Sequence, residues 1–341
     1  MQISTKDLRA AAIGAVSVTE ENGGVVFHRF SATEEEMYKL LDVKQNRTDY
    51  KKAHAPAGIK LKFKTDSKSL SINATASAAS RKYFSFDVFE NGIYLVSLSN
   101  FNEPDLKFNY TATDISIGEF SAYTPLSEGE KEITLYLPWS VAISNFKLTL
   151  DDGASFIPSE KPKKKLLVYG DSITQGYDAL YPHRRYATRL AEALGAEEIN
   201  KGIGGEVFRP ELASHKADFS PDYVTVAYGT NDWSRSKKED FLKNAKEFYT
   251  ILSKNYPNSK IFAITPIWRI EATKNSALGA FSFVDEYISE IAATLPNVTV
   301  IHGIDLVPHY IDLYADLSLH PRDAGFDFYF ANLYNEIKKY V

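Results

Sequence analysis

The stretch Leu166-Leu167-Val168-Tyr169-Gly170-Asp171-Ser172-Ile173-Thr174-Gln175-Gly176 decides the fold. Its first four residues are an apolar run of the length of a buried strand, and the run breaks at a glycine into small polar residues. A strand that ends in Gly-Asp-Ser delivers one hydroxyl to the carboxyl edge of a sheet, where open α/β sheets bind their ligands. Taken alone, Ser172 reads rather as the N-cap of the next helix. Three later stretches change that balance: Gly202-Ile203-Gly204-Gly205, Gly229-Thr230-Asn231-Asp232 and Asp316-Leu317-Ser318-Leu319-His320-Pro321.

Downstream of the decisive stretch, strands and helices alternate. Apolar residues recur at helical spacing over 184–194, 240–256, 281–295 and 324–340. Short β-branched or aromatic runs separate them at 198–200, 223–228, 261–265 and 298–301. This order predicts a mainly parallel sheet covered by helices on both faces. Upstream the period is two. Ile59-Lys60-Leu61-Lys62-Phe63-Lys64 alternates strictly, and similar runs follow at 70–74, 84–88, 93–98, 106–110, 133–138 and 146–150. Turns such as Glu90-Asn91-Gly92 and Asp151-Asp152-Gly153 separate them, so the pattern predicts an antiparallel β-sandwich. Residues 1 to about 50 read as an irregular lead-in, with an edge strand over 25–30 and one or two helical turns over 34–41. The Lys-rich connector 159–165 places a domain boundary near residue 160, giving a first domain over 1–160 and a second over 161–341.

Composition narrows the function. The chain has 341 residues, 44% hydrophobic and 24% charged, and a formal net charge of -5. No long basic block is present, which argues against a nucleic-acid partner. With no cysteine, disulfides and thiolate chemistry are excluded. No apolar run is long enough to predict membrane insertion. Asp7 and Arg9 interrupt the start, so it does not read as a signal peptide. A cytoplasmic location is the expectation, with secretion left open if a leader has been removed.

The four polar stretches carry the chemistry. A serine hydroxyl needs a base to take its proton, and His320 is the candidate, with Asp316 four residues upstream. Gly204-Gly205 and Asn231 follow the next two strands and reach the same sheet edge as Ser172. A glycine N–H and an Asn amide there suit a developing oxyanion. Neither Gly-x-x-x-x-Gly-Lys nor Gly-x-Gly-x-x-Gly occurs, which counts against a phosphate site. His302 and His309, seven apart, lack metal-ligand spacing. Trp233 and Trp268, just past strand ends, are placed to stack on a sugar face or to serve as core, and Trp139 belongs to the first domain.

These four stretches resemble the sequence blocks of the SGNH hydrolases, the GDSL-type esterases and lipases. The resemblance spans roughly 164–341. It implies a three-layer α/β/α, flavodoxin-like catalytic domain with Ser172 as nucleophile and His320 as base. It also implies Gly205 and Asn231 as oxyanion donors. The family's Asp usually stands three residues before the His; here Leu317 occupies that place and Asp316 stands at four. Either Asp316 or a backbone carbonyl then orients His320. A jelly-roll-like sandwich ahead of the catalytic domain resembles bacterial carbohydrate acetyl esterases. The expected activity is serine-dependent hydrolysis of short O-acyl esters, O-acetyl above all, on a small molecule or oligosaccharide. The alternatives are another acylhydrolase activity or a noncatalytic carbohydrate-binding protein. No cofactor and no metal enter this chemistry.

Overall fold

The computed structural model describes residues 1–21 and 23–341. The chain divides into two compact units. The first is Met1–Pro162 with Leu180–His183 and Glu197–Ile199; the second is Lys163–Ala179, Arg184–Ala196 and Asn200–Val341.

The first unit holds helices α1 (Thr5–Ala11), α2 (Ala32–Gln45) and α3 (Asp49–Ala53). Its strands are β1 (Ala12–Ile13), β2 (Ser17–Glu21), β3 (Gly24–His28), β4 (Lys60–Thr65), β5 (Ser69–Ala78) and β6 (Ser85–Glu90). β7 (Ile93–Ser99), β8 (Glu119–Pro125), β9 (Lys131–Tyr136), β10 (Val141–Leu150) and β11 (Ile157–Pro158) complete them. One sheet has the order β1-β4-β9-β6-β7, with β11 also on β4; the other has the order β2-β3-β10-β5-β8. Their ladders are antiparallel. Strict alternation in β4 turns Leu61 and Phe63 inward, and in β5 it turns Leu70, Ile72, Ala74 and Ala76 inward. They share one core with Phe86, Val88, Phe146 and Leu148. Each large apolar side chain buried there contributes about 1.5–3 kcal/mol.

Four expectations about this unit are overturned. The first fifty residues are not irregular, and β3 is an interior strand, flanked by β2 and β10. Val25, Val26 and Phe27 are all buried, so the run is continuous rather than alternating. The helical turns expected over 34–41 are a 14-residue helix, started by a capping box between Ser31 and Glu34. Residues 106–110 form no strand either. Short 3₁₀ turns flank them, and Phe108 is exposed. Alternation without a partner strand confers no burial. Besides β10, β5 pairs β8, which turns Phe120, Ala122 and Thr124 inward.

The second unit is a five-stranded sheet between helices. The sheet comprises β12 (Lys164–Gly170), β13 (Ala196–Asn200), β14 (Tyr223–Ala227), β15 (Lys260–Ile264) and β18 (Val298–Ile301), in the order β13-β12-β14-β15-β18, with Glu197–Ile199 of β13 being the residues assigned above to the first unit. β12, β14, β15 and β18 pair in parallel. Two-residue strands β16 (Asn275–Ser276) and β17 (Gly279–Ala280) form a separate ribbon. The helices are α4 (Ser172–Gln175), α5 (Tyr186–Ala193), α6 (Pro210–Ser214), α7 (Thr230–Arg235), α8 (Lys238–Asn255), α9 (Ser282–Ala292) and α10 (Asp323–Ile337). β12 is buried on both faces. Leu166 and Val168 join the core of α5 and α10, while Tyr169 meets Phe248 of α8 edge-on at 5.5 Å. The second strand of the sheet lies on one side of the first and the third on the other. Such reversals open a crevice at the carboxyl ends, and ligands bind there. Among the described residues, no helix is long and apolar enough to cross a membrane.

Candidate active site

The crevice between β12 and β14 is where the predicted residues meet. Gly170 ends β12, and a Cβ there would sit 2.0 Å from Thr174 Oγ1, so only glycine lets the chain turn. Asp171 caps α4 by accepting the Ile173 N–H at 3.0 Å. Ser172 thus opens a one-turn helix, 4% exposed. The loop after β13 is tied to this turn. Asn200 donates to the Thr174 carbonyl at 2.9 Å, and the Gly204 N–H donates to Gln175 Oε1 at 2.9 Å.

With the Gly204 N–H engaged, Gly205 is the next glycine on the loop. Its φ is +83°, a conformation that an L side chain resists. Its carbonyl accepts from Arg235 Nη1 at 2.9 Å. Asn231, buried in the first turn of α7, donates from Nδ2 to the Glu206 carbonyl at 3.0 Å. The same nitrogen lies 3.4 Å from Asp171 Oδ2. That contact links the turn after β14 to the turn that carries Ser172.

His320 lies on the loop before α10. An isolated antiparallel bridge from Tyr314 to Pro321 closes this loop, and Ala315 donates to the His320 carbonyl at 2.8 Å. Leu317 takes φ +56° inside it. This left-handed residue is the extra one in the Asp–His spacing. It folds the loop so that Asp316 still faces the imidazole.

Asp316 Oδ1 accepts backbone N–H groups of Ser318 at 2.9 Å, Leu319 at 2.8 Å and His320 at 3.0 Å. Its Oδ2 lies 2.6 Å from His320 Nδ1, and His320 Nε2 lies 2.8 Å from Ser172 Oγ. A carboxylate can only accept here, so Nδ1 carries the proton and Nε2 offers its lone pair to the serine O–H. Of the two partners open for His320, the carboxylate is the one in contact.

Acidity divides the neighbouring carboxyls. Burial pushes Asp316 up, but the hydrogen bond and charge of His320 and the backbone N–H groups outweigh it, holding the carboxyl well below the usual range. Asp171 is pushed up to about 6, chiefly by burial. Asp232 is pushed up to about 7, again by burial, against the N–H of Phe208 that Oδ1 accepts at 3.1 Å. Both brace backbone, as loop-bracing carboxylates do.

Sequence reading missed Asp178. It is fully buried, adopts φ +72°, and its Oδ2 stands 3.5 Å from His320 Nδ1. The Tyr177 ring lies against the imidazole at 5.5 Å. The signal was a charged residue six positions after the candidate nucleophile, in a stretch otherwise without charge. Of the two roles open for the tryptophans, stacking platform or core, Trp233 takes the core one. Trp233 is 4% exposed; Arg269 covers its ring at 5.1 Å and Nε1 donates to the Gly279 carbonyl at 3.0 Å. Trp268 already stacks on His309 at 5.3 Å, and Trp139 is core.

Residues 168–328 match the model of the GDSL-like lipase/acylhydrolase family. A search of the curated proteins found no match. Among solved structures, the chain is similar to the salicylyl-acyltransferase SsfX3 from a tetracycline biosynthetic pathway. That match has a TM-score of 0.80 and 19% identity, over 99% of this chain and 97% of that one. A putative GDSL-like lipase from Bacteroides ovatus matches with a TM-score of 0.78 and 20% identity, over 99% and 97%. The acetyl xylan esterase Est2A from the rumen bacterium Butyrivibrio proteoclasticus gives 0.61 and 15%, over 99% and 98%. At these identities the likeness is one of fold, and it extends over both units. The chain thus carries a GDSL-like lipase/acylhydrolase domain over residues 168–328, and its enzyme class is carboxylic ester hydrolase.

Proposed function

We propose that the chain hydrolyses short O-acyl esters, O-acetyl groups on a carbohydrate above all, through an acyl-enzyme on Ser172. The observation that carries this reading is the unbroken row from Asp316 through His320 to Ser172, at 2.6 and 2.8 Å. In it, Ser172 Oγ attacks the ester carbon while His320 Nε2 takes the hydroxyl proton. The imidazolium that forms is stabilised by Asp316, which keeps its negative charge because its pKa is held far below the usual carboxylate range.

The tetrahedral oxygen is held by the N–H groups of Ser172 and Gly205 and by Asn231 Nδ2. One amide hydrogen of Asn231 stays on the Glu206 carbonyl and fixes the group; the other, on the longer 3.4 Å contact, turns to the oxyanion. His320 returns the proton to the leaving alcohol. Water then attacks the acyl-enzyme with His320 again as base. Asp178 adds a second, longer-range negative charge behind the imidazole.

The acetyl-carbohydrate preference is supported by the fold shared with an acetyl xylan esterase and with family two carbohydrate esterases. It is tested by kcat/KM on nitrophenyl esters of two to twelve carbons, followed by acetylated xylan. A pocket closed behind an acetyl group rejects each added methylene. An open lipid channel gains up to about 0.8 kcal/mol per methylene buried. A steep fall beyond four carbons is expected; a maximum at eight or more overturns the preference. A second reading, transfer of the acyl group to an alcohol instead of water, is supported by the likeness to the salicylyl-acyltransferase. Adding acceptor alcohols at fixed ester concentration separates the two, since transfer raises product-ester yield over free acid.

A further inference from the structure

Apart from the catalytic row, the first unit carries a cluster with no part in ester hydrolysis. His28 stands at the end of β3, Glu35 in the first turns of α2 and His54 just after α3. His28 Nδ1 is 2.9 Å from Glu35 Oε1, and His54 Nε2 is 3.7 Å from Glu35 Oε2. All three ligand atoms lie within 4.8 Å of one another. Their side chains are 11, 14 and 24% exposed, so the group is sheltered yet reachable.

The remaining ring nitrogens fix what faces the centre. His54 Nδ1 is 2.8 Å from the Tyr50 carbonyl, which can only accept, so that nitrogen carries the proton. In the neutral ring, Nε2 therefore points a lone pair at a carboxylate oxygen. Two acceptors facing each other repel unless a proton on Nε2 or a metal ion lies between them. His28 Nε2 is 2.9 Å from Thr19 Oγ1, whose hydroxyl reaches Glu21 Oε1 at 3.1 Å. Thr19 Oγ1 can thus accept a hydrogen bond from an Nε2–H while its own O–H donates to Glu21, which frees Nδ1 as a ligand. Both imidazoles are backed by an acceptor on the far nitrogen, the arrangement that orients and strengthens metal-binding histidines.

We infer that His28 Nδ1, His54 Nε2 and Glu35 form a binding site for a divalent transition metal of zinc type in the first unit. Zinc–nitrogen bonds of about 2.0–2.1 Å place tetrahedral ligand atoms roughly 3.3 Å apart. The His–Glu separations, 2.9 Å to Oε1 and 3.7 Å to Oε2, straddle that value, and with a single Glu35 oxygen the three ligand atoms still lie within 4.8 Å of one another. Two imidazoles and one carboxylate leave the fourth position to water. Binding moves the His28 ring proton from Nδ1 to Nε2 and releases any second proton to solvent. The ion lies outside the serine mechanism, so the inference stands or falls apart from the proposed activity.

The test is titration of zinc chloride into the chelator-stripped full chain, read by calorimetry and by melting temperature. Cobalt chloride serves as a spectroscopic substitute. One zinc per chain with submicromolar Kd is expected, with a rise in melting temperature and the intense visible bands of tetrahedral cobalt. H54A and E35Q should each weaken binding by at least about 100-fold, while H302A leaves it unchanged. A stoichiometric site that survives H54A and E35Q but is lost in D316N overturns the assignment, as does wild-type affinity weaker than about 100 µM. Should either variant fold poorly, the cobalt spectrum of the wild-type chain decides. Bands without tetrahedral intensity at one equivalent contradict the site.

Discussion

The loop that carries His320 and the strand-end turns that carry Ser172 and Asn231 both hold sheltered carboxyl groups, and their acidity moves in opposite directions. Asp316 is held well below the usual range, whereas Asp171 rises to about 6 and Asp232 to about 7. Burial raises all three; donors make the difference. Asp316 accepts three backbone N–H groups on one oxygen and the imidazole on the other. Asp232 accepts the Phe208 N–H on Oδ1, and among the described residues its Oδ2 meets no hydrogen-bond partner. The His loop is built to keep a charge beside the imidazole, and the strand-end turns are built to brace backbone.

Replacing the charge in the first region has the largest expected effect. Asp316→Asn keeps an oxygen for the loop N–H groups but removes the negative charge facing Nδ1. A fall in kcat of about 10³–10⁴ at nearly constant KM is expected, measured on nitrophenyl acetate. A loss within about tenfold would mean that another acceptor orients His320.

Asp178→Asn comes next, with a loss of about tenfold in kcat, because its carboxylate stands 3.5 Å from Nδ1 rather than 2.6 Å. If Asp178→Asn costs more than Asp316→Asn, the roles of the two carboxylates are reversed.

The strand-end region is sharpened by stability rather than rate. Asp232 has a folded-state pKa raised above its unfolded value near 3.8, to about 7. Its favourable contribution is therefore complete below pH ~4 and is lost as pH rises through about 7. Asp232→Asn removes that loss. Denaturant unfolding should find the variant more stable than wild type by on the order of 1–2 kcal/mol at pH 8, with no such gain at pH 4. A variant no more stable at pH 8 contradicts the assignment of a buried, raised carboxyl.

The smallest effect is expected at Leu317. Its left-handed backbone suits glycine, while glycine also loosens the unfolded chain. Leu317→Gly should change stability by less than about 1 kcal/mol and turnover by no more than about threefold. A large loss of turnover would show that the Leu317 side chain, not the backbone turn, holds the loop.

Much of this was legible in sequence because the second unit announces itself in local terms. Leu166 to Gly170 is apolar on both faces, the helices repeat at 3.6, and Ser172, Asn231 and His320 each stand beside a strand end or helix start. The Asp316–His320 spacing was legible too, but not the left-handed turn at Leu317 that makes four residues serve. Asp178 was hidden because its effect depends on a buried approach across the loop to His320, which no spacing encodes. The tryptophans illustrate what position alone leaves open. A position past a strand end says nothing about which way a ring turns, and Arg269 and Phe281 enclose Trp233. In the first unit, Ser31 and Glu34 spelled a capping box ahead of a helix whose polar face masked its length.

The central claim is that Ser172 carries the acyl group. Its most direct test is intact-protein and peptide mass spectrometry after quenching in acid during turnover of a slowly deacylated ester, in wild type, Ser172→Ala and His320→Ala. An acyl adduct is expected on the peptide containing Ser172 in wild type alone, with turnover in Ser172→Ala reduced by several orders of magnitude. An adduct on another residue, or full turnover in Ser172→Ala, would contradict the account.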